Sequence, residues 1–121
     1  MRLREVLKRD MNSNSSPRRF LTIIVDGEDI LGAVILDQYF RPKAYWPPDF
    51  ISILPAEVLN SCSLLKDSND YLILSIRDRK FIVIRIDDPS ILILEIRATL
   101  HSEGIVKELY KIIVDIKKRY M

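Results

Sequence analysis

Glycine, cysteine and histidine are all scarce in this chain of 121 residues. Three glycines (Gly27, Gly32 and Gly104) are too few for glycine-rich phosphate loops or flexible glycine linkers. A single cysteine, Cys62, excludes an intramolecular disulfide and any multi-cysteine metal site. One histidine, His101, would have to serve any Ser-His-Asp arrangement, and no GxSxG elbow accompanies it. P-loop, HExxH and EF-hand spacings are likewise missing. No apolar run reaches the roughly 18–20 residues that span a bilayer, and the polar opening stretch has no secretory signal. Membrane insertion is therefore not expected, and the expected location is cytoplasmic. A charge excess is missing too: 19 basic residues stand against 17 acidic ones. A net charge of +2 weighs against nucleic-acid binding, whose basic excess is normally larger and gathered on one face.

What is present is a globular composition, 48% hydrophobic and 30% charged, in a chain long enough for one core but not two. Isoleucine is abundant and glutamine occurs once, at Gln38. That skew suits a thermophile, and a biased genomic base composition produces it equally well. Basic residues gather at both ends, from Arg2 to Arg19 and from Lys117 to Arg119. Residues 1–16 read as a flexible or weakly helical extension, because Leu3, Val6 and Leu7 form only a short stripe before the Asn12–Pro17 break. The ordered domain is expected over residues 17–121.

Within it, Pro17–Asp26 reads as a helix capped by Ser16, burying Phe20, Leu21, Ile24 and Val25; a β-branched strand is the competing reading. Ile30–Leu36 reads as a buried strand in which Gly32 marks a close approach by another element. Lys43–Trp46 returns as an edge strand stopped by Pro47 and Pro48. Asp49–Lys66 reads as a helix, regular from Pro55, with Val58, Leu59, Cys62 and Leu65 on one face and Glu57, Asn60 and Ser61 on the other. Three strands follow, Tyr71–Arg77, Phe81–Asp87 and Ile91–Ala98, joined by turns at Asp78-Arg79-Lys80 and at Asp87–Ser90. Alternation places Leu72, Leu74 and Ile76 on one apolar face with Ile82, Ile84 and Ile86 and with Leu92, Leu94 and Ile96. The opposite face grades from apolar to charged and must be half covered. Ser102–Tyr120 closes the chain as an amphipathic helix with Ser102 as its cap.

Few of these residues suggest chemistry. His101, just before a helix start, reads as a cap or a solvent-exposed side chain, and Cys62 as a small buried thiol. Asp87 and Asp88 read as turn residues. Tyr45 and Trp46 read as caps on a sheet edge, with a docking surface as the alternative. Arg41, Arg77, Arg79 and Arg97 are candidates for a charge supplied to a transferring phosphate. None of them is assigned that role.

The order helix, two strands, helix, three strands, helix, with ILGAVILD, DYLILSIRDRKFIVIRIDD and SEGIVKELYKII, resembles the roadblock/dynein light-chain family. Gly32, the Asp70–Asp87 hairpin and Gly104 carry the likeness, which runs from about Pro17 to Met121. The resemblance implies an α+β fold: a five-stranded antiparallel sheet flanked by helices, in the order α-β-β-α-β-β-β-α. It also implies a non-enzymatic homodimeric scaffold without a cofactor, joined edge to edge, whose partner is a small Ras-like GTPase or a larger complex. Apolar area on the middle helix and the graded sheet face points to the same dimer, burying roughly 1,600 Å². Val58, Leu59, Cys62, Leu65 and Ile73 are its expected contacts. A longin- or profilin-like adaptor and a nucleic-acid-binding protein using its basic ends are the alternatives.

Overall fold

In a computed structural model, the described residues are 21–22, 24–65, 70–85, 90–108 and 111. The proposed extension and both basic ends lie outside them. So do Phe20, the Asp87-Asp88 turn, and Leu109, Ile112, Ile113, Ile116 and Tyr120 of the closing helix.

Five strands form one antiparallel sheet: β1 (Ile30–Leu36), β2 (Pro42–Trp46), β3 (Tyr71–Ile76), β4 (Arg79–Arg85) and β5 (Ile91–Ile96). Their spatial order is β2-β1-β5-β4-β3, so β1, β5 and β4 lie inside while β2 and β3 are the two edges. Helical layers cover both faces, which is the expected α+β architecture.

Leu21, Thr22 and Ile24 are helical, so the helix reading of the leading segment holds over its described part. Leu21 and Ile24 are buried on the sheet. Gly27 then reverses the chain at φ 76°, a conformation open to glycine without a β-carbon penalty. Asp26 braces this turn by accepting the N–H groups of Glu28, Asp29 and Ile30 at 2.9–3.0 Å. Burial opposes ionisation of the Asp26 carboxyl, and the three donors outweigh it, holding it below the usual carboxylate range. On the same sheet face, residues 102–108 form the start of the closing helix and bury Ile105 and Val106. Its cap is His101 rather than Ser102, with Nδ1 accepting the Gly104 N–H at 3.3 Å.

The middle segment is broken where a regular helix was expected. It comprises α1 (Phe50–Ile53), α2 (Ala56–Ser61) and a 3-10 turn (Cys62–Leu64). Pro55, extended at φ −63° and ψ 142°, separates α1 from α2, as a residue with no N–H to donate must. Asp49 makes no side-chain cap, and Ser61 is buried rather than outward, its hydroxyl donating to the Val58 carbonyl at 2.6 Å. The close approach at Gly32 is real: a β-carbon there would collide with the ring of Phe50.

The β3–β4 turn also differs. Ile76 pairs with Arg79, so the loop is only Arg77 and Asp78, and Arg79 and Lys80 belong to β4. This register flips β3 relative to the sequence reading, because a strand alternates with period two. Leu72, Leu74 and Ile76 therefore share a face with Phe81, Val83, Ile91 and Ile93, under α1 and α2. Ile73 joins Ile82, Ile84, Leu92, Leu94 and Ile96 beneath the leading and closing helices. Both faces are apolar, and each has its own cover.

Candidate interaction site

Two sheet edges are available for contact, and their chemistry differs. β2 opens on Pro42, carries Lys43 and runs into Pro47 and Pro48, all features that discourage a further strand. β3 reads YLILSI, without proline or charge, and its side chains are half-buried or exposed throughout. Such an edge is an open template for another strand. Tyr71 begins it, with its hydroxyl donating to Glu103 at 3.1 Å; that carboxylate pushes the phenol pKa up.

The five expected contact residues do not form one patch. Val58 and Cys62 have no exposed surface and Leu65 retains 4%, because all three fill the core between α2 and the sheet. Their apolar stripe is used by the chain's own strands, which corrects the view that a lone copy leaves it wet. Leu59 is half-buried at the margin of that core, and Ile73 is half-buried on the opposite sheet face. Leu59 and Ile73 thus keep surface for a partner. Ile53 and Leu64, 50% and 64% exposed on the same helical layer, are further apolar groups that the helical stripe did not reveal.

At the end of this layer Arg79 reaches across the sheet to Glu95, a diagonal neighbour on β5. Nε and Nη2 donate to the two carboxylate oxygens at 2.9 and 2.7 Å, and Nη1 donates to the Ile53 carbonyl at 2.7 Å. The Arg79 guanidinium also lies 5.0 Å from the centre of the Phe81 ring. Its hydrogen bonds to Glu95 raise its pKa further against desolvation. Beside it, Ile53, Pro55, Glu57, Ile76, Arg77 and Arg79 line an open cleft of about 220 Å³. This is below the roughly 300–1,000 Å³ of small-molecule sites.

Three of the four candidate arginines are engaged in ion pairs. Arg79 holds Glu95, Arg41 pairs with Asp37 at 3.1 Å and Arg97 with Asp29 at 3.1 Å. Arg77 stands exposed at the β3–β4 turn with φ 57°. Cys62 is buried, and burial pushes its thiol up to about 11 despite the nearby Arg85. A thiol so shifted is inert as a nucleophile at neutral pH. Trp46 packs against the core beneath the leading and closing helices, whereas Tyr45 remains 38% exposed. No described helix is long and apolar enough to cross a membrane, and no group of three or more metal-ligating side chains occurs among the described residues.

No protein-family model matches the sequence, and no curated protein matches it significantly. Solved structures do match. One roadblock/LC7 domain from Streptomyces avermitilis superposes with a TM-score of 0.64 at 12% identity, covering 87% of this chain and 98% of that one. A second structure of a roadblock/LC7 domain from that organism gives 0.64 at 15% identity, covering 84% and 99%. Identity this low speaks for architecture alone, and with nearly the whole of each domain spanned, the chain has the roadblock/LC7 fold.

Proposed function

We propose that this protein is a non-catalytic adaptor or regulatory module that works as a homodimer and receives a small Ras-like GTPase. The observation that carries the dimer is β3: a six-residue apolar edge with no proline, lysine or other charge to blunt it. Pairing two β3 strands antiparallel would join the sheets of two copies into one. Ile73 lies on that edge, and Leu59, Ile53 and Leu64 add apolar surface on the helical layer over the opposite sheet face. The non-catalytic reading is supported by how the reactive side chains are used. The thiol is buried and His101 caps a helix. The GTPase partner is supported by the resemblance to roadblock/dynein light-chain proteins together with the shared fold.

Light scattering behind size-exclusion chromatography tests the dimer. The expected mass is twice 14.2 kDa at tens of micromolar, falling to one chain mass for Ser75→Lys, which places like charges along the paired edge. A monomeric parent protein would end the dimer proposal. For the partner, the dimer is used to capture proteins from its native extract, and a copurifying GTP-binding protein is the expected result.

A further inference from the structure

The β1–β2 connection, at the other end of the sheet, holds large apolar side chains in solvent. Asp37 sets its shape: Oδ1 accepts the N–H groups of Tyr39 and Arg41 at 2.8 and 3.0 Å, and Oδ2 accepts Arg41 Nε at 3.1 Å. The Arg41 N–H leads the donors that hold this carboxyl below its ordinary range. The Arg41 guanidinium lies 5.0 Å from the centre of the Tyr39 ring. The fixed tip presents Tyr39, 66% exposed, and Phe40, 40% exposed. Phe40 adopts φ 61°, a left-handed conformation that is a true outlier for a bulky side chain. It belongs to neither core cluster, so packing does not account for a phenylalanine where glycine would relieve the strain.

We infer that this hairpin is a docking surface for a segment of a partner protein that carries carboxylates beside aliphatic side chains. Exposed, preorganised aromatics are the groups that anchor protein interfaces. The charge of the partner follows from the stretch 37–46, where Asp37 stands against Arg41 and Lys43. Arg41 is balanced by Asp37, and Lys43 has no ion pair among the described residues, so the tip attracts an acidic group. A single nucleic-acid strand is disfavoured on the same count, since phosphate binding draws on several uncompensated cations. Pro42, Pro47 and Pro48 restrict backbone pairing, leaving recognition to the side chains. The surface lies on the edge opposite β3, so it stands or falls independently of the dimer.

The test selects short random peptides displayed on phage against the full chain and measures the enriched peptides on variants. Acidic-aliphatic peptides are expected, weakened about tenfold or more by Tyr39→Ala and by Lys43→Glu. Phe40→Gly should weaken them too while raising the thermal midpoint, because it removes strain and no core contact. Failure to enrich any peptide, peptides without acidic bias, or binding indifferent to all three variants would overturn the inference. So would a lower midpoint for Phe40→Gly, or a fluorescent oligothymidine that binds the tip where peptides do not.

Discussion

Gly32 sits within β1 where the Phe50 ring of α1 lies so close against the strand that no β-carbon fits between them. The fit matters because α1 is only four residues long and buries one side chain, Phe50 itself. A helix that short has little stability of its own and depends on this contact for its position. Gly32→Ala is therefore expected to destabilise the fold by about 1–3 kcal/mol, the range for an overpacked core. Phe50→Leu in the same chain should recover part of that loss, because the smaller side chain frees the space the methyl group needs. Denaturant unfolding of the two single variants and the double variant measures the coupling. Strict additivity would mean that the methyl group is accommodated elsewhere.

At the scale of elements, most of the architecture could be read from alternation and punctuation, and the failures have a common cause. β1 announced itself as an almost unbroken apolar run and β5 by its alternation, and Pro47 and Pro48 ended β2 as proline should. The β3–β4 turn could not be read the same way. Arg79 and Lys80 look like loop residues, and no Asn-Gly or Asp-Gly pair marks the two-residue loop. Their charges are satisfied by distant partners, Glu95 of β5 for Arg79 and, past the end of that strand, the Leu100 carbonyl for Lys80 at 3.2 Å. That satisfaction is tertiary, so local composition misplaced the turn, and the resulting register shift by an odd number of residues turned every β3 side chain over. The interaction site suffered similarly. The stripe Val58, Cys62, Leu65 was legible as a buried face, but periodicity does not say whether the cover is the chain's own sheet or a second copy. The turn itself is testable. Arg77 occupies left-handed backbone at φ 57°, so Arg77→Gly should stabilise by about 0.5 kcal/mol, the relief of strain less the added freedom of the unfolded chain. Arg77→Val should instead cost about 1 kcal/mol or more, since a β-branched side chain tolerates that backbone least. Thermal unfolding of the pair distinguishes this account from one in which the turn is indifferent to its first residue.

For the whole molecule the question is whether folding and association are separate events. Each chain has one sheet with an apolar layer on either face, and both layers are closed by residues of the same chain. The protomer is thus built to be compact before it meets a partner, and β3 offers backbone pairing rather than an unfinished core. Association of that kind would still add to stability by mass action, because a dimer would withdraw folded copies from the unfolding equilibrium. Across a tenfold rise in protein concentration the thermal midpoint should climb by a few degrees. Ser75→Lys should retain a cooperative transition, since Ser75 is exposed, but with a midpoint that no longer moves with concentration. A calorimetric series on both proteins decides the matter. If the parent's midpoint is as fixed as the variant's, the open edge of β3 contributes nothing to the folded state and must be reserved for a different chain.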